Sequence, residues 1–562
     1  MQHADTPSRL RKYLPVLQWL PRYQPAWLRF DLIAGLTAAA VVIPQAMAYA
    51  GIAGLPVQVG LYTALVPMLI YVMLGTSRPL SVSSTSTISM LTATALVQVA
   101  QGGDSAAYLV AASTLALLVG IFLLLAGLLR LGSLANFISL PVLIGFKAGV
   151  GLVIFVGQLG KVLGIPVEKG PVLQTILQIV KNLGHIQWLT FVVALVTLAI
   201  LIFLPRLTRR LPAPLVAVAF GILASALFNL NGHGVELVGE IPAGLPSLSL
   251  PNLSLVGDLW PSALGIALMS FVESIAAARS FVNQDDAPVD ADQELLALGA
   301  ANVGGSFFQA YPAGGGTSQT AVNNQTGARS QLAQAVTAVV VILALLFLAP
   351  VLSLMPEATL GALVLVAAAG LIKVGEFQAI GRIRRHEMVW AIISFVGVVF
   401  LGTLEGILVA VLVSMLDIIV QANHPPLYVM GRKPGTDIFR PLRDHPDDET
   451  FPGLLLMRTE GRIYFANAPQ VREKMMELIK REQPRVIAFD CSAIPDVEYT
   501  ALKHLTELEE RFRKEGITLW LAALNPEPLR TIQRSALGDT LGHERMFVTL
   551  EQAVEAFQAG QV

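Results

Sequence analysis

A single cysteine, Cys491, stands among 562 residues, which excludes an internal disulfide framework and a cysteine-built zinc or iron–sulfur centre. The eight histidines do not cluster and no His-Glu-x-x-His pair occurs, while Gly314-Gly-Gly316 lacks the Lys-Ser/Thr of a nucleotide-binding P-loop. No enzyme motif survives, and neither cofactor nor metal is implied. Charge is scarce too. Only 14% of residues are charged against 54% apolar, with a mean hydropathy of +0.64, beyond what a soluble chain of this length carries. Most of the chain must lie in lipid. Its charges are sparse between Asp31 and Gln421 and dense after His424, so two parts in different solvents are expected. The N-terminus lacks the apolar h-region and cleavage site of a signal peptide. With Arg9, Arg11, Lys12, Arg22 and Arg29 it reads as a retained cytoplasmic lead-in over 1–30.

A helix needs about 20 apolar residues to cross the hydrocarbon core. Segments of that kind recur at 32–50, 57–75, 107–129, 138–160, 186–204, 213–230, 262–281, 331–355, 357–372 and 388–422, the last long enough for two spans. Shorter stretches at 82–100, 292–308 and 317–327 are rich in Ser, Thr, Gly and Asn and belong inside a bundle. The pattern is an α-helical polytopic membrane domain over 31–423 with about fourteen segments, several of them half-length or broken, as in a transporter built from two inverted repeats.

Lys and Arg gather on the cytoplasmic side of membrane proteins. With the N-terminus inside, Arg78, Arg130, Arg206, Arg209, Arg210, Arg279, Arg329, Lys373, Arg382, Arg384 and Arg385 all fall in cytoplasmic loops. The loop 231–261 has neither Lys nor Arg and fits an external position. Lys161, Lys169 and Lys181 lie in an external loop against the rule. After a polar, Pro-rich linker at 424–452, the residues 453–562 alternate strand-like and helix-like runs and read as a small cytoplasmic α/β domain. Strands are expected at Leu454–Arg458, Arg462–Phe465, Arg485–Phe489 and Thr518–Ala522, with helices at Ala468–Arg481, Tyr499–Lys514 and Pro526–Arg534.

Two polar stretches carry the functional signal. Ser81 to Ser89, which holds Ser83, Ser84 and Thr85, opens a membrane segment with more hydroxyls than lipid contact permits. Tyr311 to Asn323, which holds Gly316, Thr317, Ser318 and Gln319, does so at a corresponding place in the second half. If each starts a half-helix at membrane depth, two positive dipole ends and their free N–H groups meet at one point and form an anion site. Close helix packing is the other use for such residues. Glu273 sits within an apolar segment, where a charge is costly without a role or a partner. It is suited to carry a proton with the substrate, or else it pairs with Arg279 or Lys147. Gln45, beside Pro44, either faces the same cavity or bonds a neighbouring helix. Lys147 either snorkels to the cytoplasmic boundary, the plainer role, or contacts the substrate. In the C-terminal part, Thr500 lies near a helix start, where a phosphate would be favoured. Helix capping or packing is the plainer role.

These residues resemble the SulP anion permeases, bacterial relatives of the animal transporters that include pendrin and prestin. The carriers are Phe30 to Thr37, Ile43 to Tyr49, Gly60 to Tyr62, the polar opening after Arg78-Pro79, Phe271 to Ser274, and Gly315 to Asn323. The C-terminal segment resembles the STAS domain through Asp490 and Thr500-Ala501. The resemblance implies a seven-plus-seven inverted repeat, core and gate domains, homodimers, and elevator-like alternating access. On matching positions it puts the substrate between Ser83–Ser84 and Thr317–Ser318, with Gln45 and Glu273 lining it. Two departures stand out: Gln319 replaces an arginine of many members, which weakens the local positive potential, and Glu498-Tyr499 replaces small residues before the phosphorylated serine of soluble STAS proteins.

The expectation is a secondary active transporter of the sulfate, bicarbonate or dicarboxylate class, coupled to protons or alternatively to sodium. It would sit in the inner (plasma) membrane with both termini cytoplasmic. A passive chloride-like channel or exchanger on the same fold is the alternative, and a nucleobase permease a more distant one. Membrane lipid, a second copy of the chain and a cytoplasmic protein at the STAS domain are the expected partners, and nucleic acid is not.

Overall fold

The computed structural model describes residues 14–99, 105–133, 139–167, 170–208, 211–282 and 288–561. Arg9, Arg11, Lys12, Lys169, Arg209 and Arg210 lie outside the described residues. The chain forms two compact units, Met1–Met415 and Leu416–Val562.

The first half of the membrane unit runs through α1 (Leu28–Ala53), α2 (Val57–Leu74), α3 (Ser86–Val99), α4 (Ser105–Leu128), α5 (Leu140–Leu163), α6 (Val172–Asn182), α7 (Trp188–Leu207) and α8 (Ala213–Phe228). The second half runs through α9 (Val256–Ser280), α10 (Ala291–Ser306), α11 (Thr317–Gln325), α12 (Leu332–Leu343), α13 (Glu357–Leu371), α14 (Val374–Ile383), α15 (Arg385–Leu401) and α16 (Thr403–Asn423). Among the described residues, eight helices are long and apolar enough to cross a membrane by themselves. The polar α3, α10 and α11 instead bury side chains such as Thr87, Asn302 and Thr320 inside the bundle. The expected long span at 388–422 is divided at Gly402, whose φ of +114° favours glycine and turns α15 into α16.

Each half is seven membrane segments plus one short amphipathic helix, α6 in the first and α14 in the second, at the same place in the order. Packing repeats as well. Helix α4 packs on α10 and α12 on α2, α1 packs on α12 and α9 on α4, and α5 packs on α15 and α13 on α7. Exchanging each helix for its counterpart maps these contacts onto themselves, as a two-fold repeat requires. The contacts also sort the helices into two groups. A core group holds α1–α4 and α9–α12, and a gate group holds α5–α8 and α13–α16.

The second unit is a six-stranded sheet with helices on both faces. Its strands are β3 (Leu427–Arg432), β4 (Phe439–Pro441), β5 (Leu454–Thr459), β6 (Val486–Asp490), β7 (Thr518–Ala522) and β8 (Met546–Phe547), in spatial order β4-β3-β5-β6-β7-β8. Strands β5 to β8 pair in parallel, which needs crossover helices. Helices α17 (Ala468–Glu482), α18 (Tyr499–Lys514) and α19 (Pro526–Gln533) supply three of them, and α20 (Ala536–Leu541) and α21 (Leu550–Gln558) follow. Alternate residues serve opposite faces: Leu455, Met457, Ile487 and Phe489 join one apolar cluster, while Leu456, Val486, Ala488 and Trp520 join another with Leu550 and Val554.

Two expectations fail here. The stretch read as a linker contains β3 and β4. Its prolines mark an edge, with Pro441 ending the outermost strand, where a missing N–H costs no ladder bond. No strand forms at Arg462–Phe465. Only a bridge between Ile463 and Val497 remains, because Asn467 accepts from the Tyr464 amide and donates to the Arg462 carbonyl, folding this stretch into the turn that enters α17.

Candidate anion site

Before α3 and before α11 the chain is briefly extended, and these stretches pair. Strand β1 (Val82–Ser83) runs antiparallel to β2 (Gly314–Gly315), with Val82 opposite Gly315 and Ser83 opposite Gly314, and the Gly316 amide donates to the Ser81 carbonyl at 2.9 Å. Glycine is required here by close approach. A Cβ on Gly315 would meet Leu80 Cδ1 at 2.8 Å and Ser274 Cα at 2.9 Å, and one on Gly314 would meet Ser270 Oγ at 2.9 Å. Ser274 Oγ in turn accepts from the Gly315 amide at 2.7 Å, and Ser270 Oγ donates to the Ala313 carbonyl at 2.8 Å. Two hydroxyls of α9 therefore hold β2 in place.

From this short ladder the two half-helices depart. The first-turn amides of any helix lack intrahelical partners, and Gly316, as N-cap of α11, offers no side chain to cap them. Helices α3 and α11 open onto a cavity of about 70 Å³ that also receives Gln45 and Tyr49 of α1, Glu273 of α9, Lys147 of α5 and Leu371 of α13. Thr87 Oγ1 donates to Glu273 Oε1 at 3.0 Å and Thr85 Oγ1 to Oε2 at 3.3 Å. Lys147 Nζ stands 3.7 Å from Glu273 Oε1. Gln319 Oε1 accepts from Ser83 Oγ at 2.6 Å, which turns its amide nitrogen toward Gln45 Oε1 at 3.5 Å.

Electrostatically, each helix start contributes roughly half a positive charge. Lys147 offsets Glu273, so the pocket presents a net field of roughly +1 with hydroxyls and amides around it. Ser84, Thr85, Gly316, Thr317, Ser318, Gln319, Gln45 and Glu273 all line this one cavity, and Ser83 supports it from β1. Lys147, read first as snorkelling to the boundary, instead lines the cavity and pairs with Glu273, the partner also considered for that carboxylate. A lone lysine among small residues, Gly145, Ala148 and Gly149, was the available signal, because those residues let α5 approach its neighbours closely.

In the membrane unit, Asp31 and Glu294 are more deeply buried than Glu273 and serve the scaffold. Asp31 Oδ1 accepts from the backbone of Arg329 and Ser330. Glu294 accepts from Tyr71 Oη at 2.8 Å and from the Thr76 amide at 2.7 Å. A larger cavity of about 930 Å³ is lined by the later turns of α1, α3 and α5. Lys161 faces it and pairs with Glu357 at 2.9 Å, so this basic residue is neutralised within the fold. In the second unit Thr500 occupies the first turn of α18 next to exposed Tyr499, and Glu498 precedes it with its carboxylate accepting from the Phe465 amide. A phosphate on Thr500 would lie near that negative charge.

Residues 28–394 match the sulfate permease family, and residues 445–553 match the STAS domain. A probable sulfate transporter of Mycobacterium tuberculosis is 37% identical over 541 residues, covering 95% of this chain and 96% of that protein. Sulfate transporter 4.1 of Arabidopsis thaliana, chloroplastic, is 31% identical over 96% of this chain and 82% of its own length. Among solved structures, that of SLC26A9 superposes with a TM-score of 0.89 at 26% identity, over 98% of this chain and 93% of that one. These matches span both units and run the length of the polar helix starts that build the cavity: the chain belongs to the sulfate permease family, a family of transporters and not of enzymes.

Proposed function

We propose that the protein carries small anions of the sulfate, bicarbonate or dicarboxylate class across a membrane, binding them between the starts of α3 and α11. The observation that carries this reading is the convergence of two helix starts from one β-ladder, that of α11 without a side-chain cap, on a cavity that holds a single carboxylate and a single lysine. The site lies between the core and gate groups, which suits an elevator-like cycle in which one group slides against the other with the anion at the interface. At about 70 Å³, several-fold below the roughly 300–1,000 Å³ of pockets for larger organic ligands, the cavity as it stands favours a small inorganic anion over either a dicarboxylate or a nucleobase. Proton symport is the coupling we assign, with Glu273 as carrier. Protonation would raise the pocket's field from roughly +1 to roughly +2, matching a dianion. A second reading, passive exchange, is favoured by the Lys147 contact, since a carboxylate already paired has less need of a proton.

Uptake of labelled sulfate, bicarbonate, fumarate and chloride into proteoliposomes, with and without an inward proton gradient, separates the two. Gradient-driven accumulation of one anion that disappears in Glu273→Gln supports symport through Glu273. Accumulation that keeps its full pH dependence in Glu273→Gln sinks that role, and voltage-driven flux of chloride alone establishes the passive reading.

A further inference from the structure

Most of the cavity wall comes from the core group. The gate group contributes Lys147 and Leu371 only, so the site's one fixed cation is borne by the body opposite the helix starts. Lys147 Nζ is 3.7 Å from Glu273 Oε1, a separation too long for a good hydrogen bond but short enough for a strong charge contact. Glu273 is otherwise held by Thr85, just before α3, and Thr87, in the first turn of α3, both in its own group. The ion pair is therefore the charged link between the two groups at the site, and it uses a partner that an incoming anion would also seek.

We propose that Lys147 is the substrate's counter-charge and Glu273 its stand-in when the site is empty: a proton on Glu273 releases Lys147, and a dianion takes the carboxylate's place. This rests on the anion site described above and extends it to substrate class and coupling. The charges balance. One proton adds to Glu273 Oε1 and converts the carboxylate to the acid, Thr85 and Thr87 keep their hydroxyl contacts to it, and Lys147 Nζ turns to an oxygen of the dianion. No covalent bond other than the O–H changes. The dianion is then held by α3 and α11 from the core side and by Lys147 from the gate side, so its binding draws the two groups together. A monoanion such as chloride would be bound well enough by the helix starts alone. The titratable side chains facing Glu273 are Lys147 on α5 and Tyr49 on α1, and the cavity residues of α3, β2, α11 and α13 add none.

The test is equilibrium binding of labelled sulfate, and of chloride, to the purified full-length protein between pH 8 and 6. Sulfate affinity of the unaltered protein should rise as the pH falls, by up to about tenfold per unit if one proton is taken up, with chloride rising less steeply. Lys147→Gln should weaken sulfate about tenfold or more and chloride by less, and Lys147→Arg should restore much of the sulfate binding. Glu273→Gln should bind sulfate tightly at every pH. Normal sulfate binding by Lys147→Gln, or a retained pH dependence in Glu273→Gln, overturns the exchange of partners. Ser318→Trp serves as the separate control: if it binds every anion normally, the site itself is misassigned, whereas failure of the lysine variants alone removes only the exchange.

Discussion

Gly315 is where the fold and the site share one atom's worth of space. Alanine there would place its Cβ 2.8 Å from Leu80 Cδ1, 2.9 Å from Ser274 Cα and 3.1 Å from Ser274 Cβ. Leucine's terminal methyl can rotate away. The Cα of Ser274 belongs to the middle of α9 and cannot. The replacement must therefore push β2 off α9, straining the 2.7 Å bond from the Gly315 amide to Ser274 Oγ and the start of α11 that follows. Overpacking of this kind costs about 1–3 kcal/mol and the weakened bond about 1 more, so Gly315→Ala should fold with a lower melting temperature. The effect on anion binding should be sharper. Misaligning one first-turn amide forfeits a hydrogen bond to a charged group, about 1.5–3 kcal/mol, which is tenfold or more in affinity. Adding Leu80→Ala should recover little, because the limiting contact is with α9 backbone. Sulfate binding and thermal unfolding of the three proteins decide it. Wild-type affinity in Gly315→Ala would refute the claim that β2 sets the position of the helix start, and full rescue by Leu80→Ala would move the constraint from α9 to the Leu80 side chain.

Gln319→Glu should lower sulfate uptake by at least about tenfold, since a second carboxylate beside Ser83 would offset the helix-start field; unchanged uptake kinetics would show that residue 319 lies outside the field felt by the anion. In the second unit, hydrogen bonds from Arg440 hold the Asp448 carboxyl below its ordinary range, with burial opposing and the Arg440 charge assisting. A depressed carboxylate stabilises the fold above its unfolded value and loses that contribution as the pH falls through the folded one. Amide protection of β3 and β4, corrected for intrinsic exchange, should therefore stay level from neutrality to about pH 4 and fall below it. Loss already at pH 6 would assign the sensitivity to a different group.

Much of this architecture was legible because lipid leaves so few options. Apolar stretches of spanning length marked the outer helices, and hydroxyl-rich stretches that lipid would reject marked α3, α10 and α11. What stayed hidden followed from pairings that no local pattern records. The prolines of 424–452 resemble a linker until β3 is seen beside β5, and Arg462–Phe465 alternates like a strand although Asn467 bonds it into a turn. The rule that a charge within an apolar segment marks function selected Glu273, yet Asp31 and Glu294 are fully buried and bond scaffold groups instead. Burial did not separate them. The separating feature is that Glu273 opens onto a cavity, a property of seven elements together.

The repeat explains why such a cavity can carry direction-sensitive chemistry. Gln45 lies as far from Leu28, the first residue of α1, as Glu273 lies from Val256, the first residue of α9. The two-fold frame thus offers the same place twice and fills it once with an amide and once with a carboxylate. Likewise Lys147 on α5 corresponds by offset to Val364 on α13, so the cation also appears in one half only. Symmetry supplies the two opposed helix starts, which a symmetric pair of sequences could provide equally well. It cannot supply a single titratable group, because two carboxylates at the paired positions would repel each other and the anion. Breaking the repeat at these positions leaves one carboxylate and one lysine facing each other across the interface between the groups.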